Sequence, residues 1–489
     1  MYQLATQPDV YTLAQAPMPQ VDADRKKQMD EAWKAFDGSL PDPLKVDKGQ
    51  PNDNVKPNRS EPIVMKGEAA LFGKVLEIEA SDETTEPDTA IQKFIDGLWG
   101  GDDDNRMIKL CKIAINGGLF GQMFLKLIPA QGSMKYPRIV NLNPRNVRIV
   151  TDPEDCELIL AYIIEYPYAA GKLEKRQIIT RIDPDNDDYA AGNYDLWDSW
   201  TITNYKRRDA ASRWEQVGIR EDWLYPFAPI FTRQNLPNPC EAWGRPDLTP
   251  DLVQMNKSIN FMVSNIMRIV KYHGHPKTVA HGLRSSQMDT SVDGVICLEA
   301  PDSDMKTLLP MDNFAGLLSV LADLRSDMDE QSRIPAVAQG RIDKLTGLGA
   351  ISGIALELMH GPLLDKTTDK QRHSGALIRD VTRAALVLSG KIPVEQYEDY
   401  PIELHWQPIL PVDKMAMAQE ATILQGIGIS DDTLQRQLGY DPETEAEKKA
   451  DEDEQAMTAF SQGRGLPPPN PTMQQQMPDQ STMKQGGQQ

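Results

Sequence analysis

Three constellations in this 489-residue chain carry residue types that could do chemistry. The first is the glycine run Gly347, Gly349 and Gly353 in "QGRIDKLTGLGAISGIALELMHGPLL" (339–364), which leads straight into an apolar periodic segment. Backbone N–H groups at such a loop-to-helix junction attract phosphates. No strand-forming segment precedes the run, however, and the Gly-Lys-Ser/Thr ending of a P-loop is missing. A mobile loop joining two helices is the stronger reading, and a cytoplasmic nucleotide-dependent enzyme is the alternative. The second constellation is His273, His275 and His281 in "YHGHPKTVAH". Metal-binding histidines usually sit at i, i+4 on a helix or are joined by cysteines, and neither holds here, so no metal is expected. The third, "DPDNDDYAAGNYD" (183–195), begins like a calcium loop with Asp183, Asp185 and Asp187. Asp188 stands where glycine is needed and Tyr194 where the bidentate Glu should be, which leaves a solvated acidic turn. Glu77 and Glu79 share a strand face, as many surface pairs do. Nothing assembles acid, base and nucleophile, so neither a catalytic residue nor a cofactor is expected.

The four cysteines, Cys111, Cys156, Cys240 and Cys297, are far apart and form no C-x-x-C, which indicates buried or semi-buried thiols rather than disulfides or a zinc ribbon. A formal net charge of −20 argues against a protein that holds nucleic acid by neutralising phosphates. It is compatible with a wall that DNA slides past. No apolar run approaches a membrane span, and the start "MYQLATQPDV" lacks the basic and apolar regions of a signal peptide, so synthesis and folding in a cytoplasm are expected.

The elements that must position these residues follow from periodicity. Met29, Ala32, Trp33 and Phe36 share one helical face ending at Gly38. Gln50 to Pro62 reads as a loop and "LFGKVLEIEAS" as a strand. Helix returns over "DTAIQKFIDGLWGGDDDNRMIKLCKIAING", broken at Gly100 and Gly101, with Asp102–Asp104 placed at the next N-terminus. From Leu119 to Asn235 short β-like runs alternate with turns, an α+β arrangement. Leu252, Met255, Ile259, Met262, Ile266 and Ile269 then recur at steps of 3 and 4, a helix with one narrow seam. After a β-like insert, a second seam runs through Phe314, Leu317, Leu321, Leu324 and Met328. Two packed antiparallel helices with a projecting insert are predicted, their faces opposite the seams polar enough to line a wet channel. Ser352 to Leu388 reads as one long helix kinked at "HGP" (360–362), because Pro362 has no N–H to give and its ring crowds the preceding turn. "IELHWQP" is a further strand, Val412 to Phe460 is helical and acidic, and the Pro/Gln/Gly-rich tail cannot bury enough to order itself.

Taken in order, these segments resemble the portal proteins of tailed double-stranded DNA bacteriophages. "PFAPIFTRQNLPNPCEAWGRPDL" (226–248) resembles that family's strand, Asn-containing loop and Gly-x-Pro/Ser-x-Leu approach to a long helix. "QMNKSINFMVSNIMRIVKYHGHPK" resembles its first stem helix. "LGAISGIALELMHGPLL" resembles the tunnel loop and the Ser-Gly-x-Ala-Leu start of the kinked helix. "PVDKMAMAQEATILQGIGISDDTLQRQLGYDPETEAEKKADEDE" resembles the helical crown with its Gly-x-Ile-Ser turn and acidic end. The match in order and spacing covers roughly residues 60 to 460.

The resemblance implies an α+β fold with a wing, a helical stem, a β-containing clip and a helical crown, assembling into a ring of generally twelve subunits at one capsid vertex. Residues 1–60 would be a loosely matched outer part of the wing and 61–245 its α+β body. The stem would use 246–273 and 312–333, the clip 274–311 and the tunnel loop 334–351. The wing would be completed by the kinked helix and strand of 352–412, followed by a crown at 413–460 and a disordered tail at 461–489. The implied partners are the terminase large subunit, a head-tail adaptor, the major capsid and scaffold proteins, and double-stranded DNA in the channel, with no membrane, no ATPase of its own and assembly in the host cytoplasm. Gln339, Arg341 and Lys344 would face the channel, making weak phosphate contacts unless the two cations pair with Asp343 or Asp365. Gly347, Gly349 and Gly353 would supply loop flexibility, and Gly361 and Pro362 the kink.

Overall fold

The computed structural model describes residues 10–46, 48, 52–81, 89–168, 173–182, 199–209, 211–274, 278–281, 304–307, 315–341, 353–410, 423–426, 434 and 448–449. The chain divides into two compact units, Met1–Ile409 and Leu410–Gln489. Of the second, a helical turn at 423–426 and a buried Leu434 are described, so the predicted acidic helices and tail of 412–489 lie almost wholly outside the described residues.

The first unit is α+β. Its N-terminal helix α1 (Val10–Gln15) presses Leu13 and Ala14 into a small core with Ala161, Ile163, Ile178, Tyr205 and Trp214. The Arg176 guanidinium donates to the Leu13 and Ala14 carbonyls and stacks on Trp214 at 4.2 Å. Helix α2 (Gln20–Phe36) buries Met29, Ala32 and Ala35 and is followed by Gly38 in the left-handed region, as the periodicity predicts.

Helix α3 (Ser60–Phe72) corrects the sequence reading, which has a loop running to Pro62 and a strand beginning at Leu71. Pro62 lies in the first turn, where its missing N–H has no helical acceptor to lose. The predicted strand shrinks to β1 (Glu77–Glu79), which buries Ile78 between Glu77 and Glu79 and pairs with a distant edge. Helices α4 (Thr89–Trp99) and α5 (Asp103–Phe120) break at Gly100 and Gly101 as expected. Asp102 caps α5 by accepting the Asn105 N–H at 2.7 Å.

Two antiparallel sheets follow. Strand β2 (Gln122–Ile128) has β3 (Arg138–Asn141) on one side and, much later in sequence, β9 (Ile230–Gln234) on the other. The second sheet is a meander of β4 (Val147–Thr151), β5 (Ile159–Tyr168), β6 (Leu173–Arg181), β7 (Trp200–Arg207) and β8 (Glu215–Trp223). Alternation serves both its faces. Tyr162, Ile164, Ile179, Trp200 and Ile202 enter the main core, while Ala161, Ile163, Ile178 and Tyr205 pack under α1.

Helix α6 (Pro250–Gly274) leads to β10 (Thr278–His281), which pairs antiparallel with β11 (Asp304–Thr307) before helix α7 (Ala315–Ser332). Turns at 335–340 follow, then helix α8 (Gly353–Leu388), and β12 (Glu403–His405) closes against β1. Trp99, fully buried, donates its indole N–H to Thr382 Oγ1 at 3.0 Å and so ties α4 to α8. Among the described residues no helix is long and apolar enough to cross a membrane.

Candidate functional site

The site is best built from the loop that feeds α6. Gly121 ends α5 at φ 79° and lies against the Gly244 carbonyl, where a side chain has no room. Asn235 N–H donates to the Gly121 carbonyl at 2.9 Å, and Asp247 N–H to that of Gly118 at 2.8 Å. The Asp247 carboxylate is thereby driven into the interior and is fully buried. It accepts from Lys370 Nζ at 2.7 Å and Asn235 Nδ2 at 3.1 Å, and pairs with Lys366 Nζ at 3.2 Å. Lys366 Nζ also donates to the Ser332 carbonyl at the end of α7, at 3.1 Å. A Cβ on Gly67 or Gly118 would come within 2.6 or 2.9 Å of Asp247 Oδ2, so both glycines make room for this carboxylate. Burial pushes the Asp247 carboxyl up, but the Lys366 and Lys370 ammoniums and the hydrogen bonds from Lys370 and Asn235 outweigh it and hold it well below the usual carboxylate range. Burial, against the pull of Asp247, lowers Lys366 below an ordinary lysine. One buried charge cluster thus joins the start of α6, the end of α7 and the middle of α8.

Sequence reading missed this triad. Lys366 and Lys370 do leave a signal, two cations at i, i+4 in the same α8 stripe as the buried Leu363, Thr367, Ser374 and Leu377. Their partner lies more than a hundred residues upstream, in a loop.

The two seams largely hold. Leu252, Ile259, Leu321 and Met328 are buried, and Met255, Met262, Ile266 and Leu324 pack partly against the same core, so α6 and α7 lie together. Leu317 stays exposed, and Phe314 lies outside the described residues. The expected wet face of α6 needs correction. Asn256, Asn260 and Ser264, at i, i+4 and i+8, are buried, and the first and last of them bond the segment 52–59. Ser264 Oγ accepts from Val55 N–H at 2.9 Å and donates to the Val55 carbonyl at 3.0 Å, while Asn256 Oδ1 accepts from Arg59 N–H at 3.4 Å. A polar stripe at helical spacing here receives a strap of the same chain.

Beyond α7 the chain turns at 335–340. Gln339 Nε2 donates to Asp329 Oδ1 at 2.8 Å and to the Ile334 carbonyl at 3.3 Å. The Arg341 guanidinium pairs with Asp329 and donates to Gln339 Oε1 at 3.2 Å, with its side chain 36% exposed. Asp365 is not its partner among the described residues, and Asp343 lies outside them. Lys344, Gly347 and Gly349 lie outside the described residues, and Gly353 is the first residue of α8. That helix runs on through Gly361 and Pro362 without a break, and a Cβ on Gly361 would meet nothing within 4 Å. His273 is in the last turn of α6 and His281 in β10, whereas His275 and the 183–195 segment lie outside the described residues. Among the described residues no three His, Cys, Asp or Glu side chains converge as a metal site would require. Cys111 and Cys156 are half-buried, and burial, aided by Glu68, pushes the Cys111 thiol up to about 12, which makes it inert. Cys240 is exposed, contrary to the expectation for the cysteines, and Cys297 lies outside the described residues.

A family model described as phage portal protein, SPP1 Gp6-like, matches residues 34–459. The chain belongs to this phage portal protein family. No curated protein matches it. As a phage portal protein it serves in the DNA channel at a capsid vertex through which the genome is packaged. The portal family is structural and non-enzymatic, and the match gives no support to a nucleotide-dependent enzyme at Gly347–Gly353.

Proposed function

We propose that this portal protein works as a closed ring of twelve copies, with residues 246–273 and 312–333 as stem and 274–311 as the clip that meets the terminase large subunit and later the head-tail adaptor. Residues 61–245 and 352–412 form the wing, with 1–60 at its outer part, and 413–460 form the crown. Assembly takes place in the host cytoplasm, where the wing contacts the major capsid and scaffold proteins. The observation that carries this reading is the α6–α7 pair. Its two helices share a buried seam yet leave Phe261, Met267, Val270, Leu317, Leu318 and Val320 exposed, a large apolar surface for a single copy. Side-by-side packing of copies would cover it.

Light scattering and negative-stain imaging of the purified protein are expected to give rings with an axial channel. A monomer across a wide concentration range, with no rings in the images, would refute the assembly. Higher-resolution maps of the same rings test a bend of α8 at Gly361–Pro362, where Pro362 cannot donate the N–H its position calls for. A straight helix there would remove the kink.

Residues 334–351 are the tunnel loop in this reading, with Gln339, Arg341 and Lys344 toward the DNA and Gly347, Gly349 and Gly353 giving the loop its freedom. Asp329 holds Arg341 within one copy, yet its exposure leaves guanidinium N–H groups available for brief, salt-sensitive phosphate contacts. Changing Arg341 and Lys344 to Gln is expected to alter packaging velocity or DNA retention while leaving ring assembly and the motor's ATP turnover intact. Packaging and retention equal to the parent protein would remove the role of these two cations.

A further inference from the structure

Four arginines gather around Asp329 at the end of α7. Arg325, Asp329 and Arg333 follow each other at i, i+4 and i+8, and Arg341 returns to them from the turn beyond. With Pro362 of α8 and a second carboxylate, the exposed Glu330, they line a cleft of about 400 Å³ in which the arginines still outnumber the acids. Arg59 approaches closely enough that burial, followed by the charges of Arg325 and Arg341, lowers its pKa against the pull of Asp329. Asp329 is already engaged by Arg341 and Gln339. Arg59, Arg325 and Arg333 have no ion-pair partner among the described residues, and the Nε–H groups of Arg59, Arg325 and Arg341 are buried without acceptors. In a chain with 72 acidic against 52 basic residues, Arg59, Arg325 and Arg333 thus stay without an ion pair among the described residues.

The backbone supplies a second, independent observation. α7 ends with Arg333 N–H donating to the Glu330 carbonyl at 3.0 Å and Ile334 N–H to that of Asp329 at 3.2 Å, while Ile334 is fully buried. In this helix-ending pattern the left-handed position normally belongs to glycine. Arg333 occupies it at φ 57°, a conformation an L side chain adopts at a cost. Arg333 is exposed and lines the cleft.

The other flank of α7 has the opposite sign. Asp323 and Asp327 are exposed and make no ion pair among the described residues. Asp323 precedes Arg325, and Asp327 precedes Asp329 of the same stripe, by two residues, which sets the two stripes about 160° apart around the helix. Each flank also carries an exposed apolar residue, Leu318 (53% exposed) beside the basic stripe and Val320 (50%) beside the acidic one. A head-to-tail ring requires two different, complementary surfaces on every copy, and a large ring requires them nearly opposite each other.

We propose that the cleft of Arg325 and Arg333 is completed by Asp323 and Asp327 of a neighbouring copy, with Leu318 and Val320 packed beside the charged contact. The proposal rests on the ring reading and specifies one of its subunit contacts. A DNA phosphate would also suit guanidinium groups, but it would leave the unpaired acidic flank and the two exposed apolar residues without a partner.

The test uses full-length protein in three variants. Arg325→Glu with Arg333→Glu reverses the basic flank, Asp323→Arg with Asp327→Arg reverses the acidic flank, and a third chain carries all four changes. Ring fraction is measured by native mass across protomer concentrations at low salt, with circular dichroism and thermal midpoints verifying that each variant folds. Each singly reversed flank is expected to raise the concentration for half-assembly by about tenfold or more, as breaking close interfacial charge pairs does. The four-change chain should recover most of that loss. So should an equimolar mixture of the two singly reversed chains, whose copies are complementary when they alternate. Reversed variants that assemble like the parent protein, or losses that neither combination repairs, would overturn the pairing while leaving the ring intact. Normal assembly of an Arg325→Gln, Arg333→Gln variant with weakened binding of duplex DNA would overturn it in favour of phosphate. A parent protein that forms no ring would overturn the ring reading itself, and this contact with it.

Discussion

Asp247→Asn is expected to cost about 3–5 kcal/mol of stability, read as a drop in the unfolding midpoint at fixed protomer concentration. The size follows from what remains after the change. Lys366 and Lys370, whose side chains are 3% and 2% exposed, would keep two ammoniums in the interior with an amide where their carboxylate had been. Losing a proton is their only escape, and neutralising one ordinary lysine at pH 7 costs about 4–5 kcal/mol, so that route is no cheaper. Adding Lys370→Met to Asp247→Asn should regain part of the loss, because one of the two stranded charges is gone. The acid dependence has a definite sign. Asp247 is held below its unfolded value near 3.9, so as pH falls the unfolded chain takes up this proton first. The stabilisation is complete above the ordinary carboxylate range and is lost as pH drops toward the depressed value. The stability difference between parent and Asp247→Asn proteins should therefore shrink below about pH 4. An unchanged midpoint at neutral pH would show that the cluster holds nothing together.

How much of this was legible in the sequence depended on whether the cause was local. The α4–α5 break needs only Gly100, Gly101 and a capping Asp102, all within four residues, and it appears as read. The seams of α6 and α7 repeat over several turns, so any partner would have to meet them. Pro62 misled because proline signals a loop almost everywhere except in a first helical turn, and the boundary of α3 depended on that exception. Asn256 and Ser264 misled in the same way, since a polar stripe signals water until a distant strap supplies the hydrogen bonds. Asp247, Lys366 and Lys370 were least accessible. Their pairing depends on a tertiary approach that Gly67 and Gly118 permit, and nothing in the residues flanking Asp247 indicates its partners.

Replacing Val279–Leu308 with a short Gly/Ser link is expected to leave α6, α7 and ring assembly intact and to abolish packaging. The structural half rests on β10 and β11. Thr278 stands opposite Thr307, two residues before the far junction, so the chain has already returned close to the near end and a few flexible residues can bridge the remainder. Shortening the connection lowers the entropy of closing it, by about 0.6 kcal/mol for each halving of its length. The α6–α7 seam keeps Leu252, Ile259, Leu321 and Met328 in the core regardless, and Lys366 still fixes the end of α7 through the Ser332 carbonyl. Helix content and thermal midpoint should therefore match those of the parent. The functional half rests on position. In this reading the segment joins the ends of two packed helices whose described seam residues make the core without it, which leaves it available to a partner and dispensable for folding. With that segment gone the terminase motor would find rings of normal size and nothing to grip, so DNA uptake into capsids should fall to background while the motor's own ATP turnover persists. Packaging at the parental rate by such rings would show that 274–311 is not the motor's docking element. A chain that no longer folds would instead place these residues in the core that the stem needs.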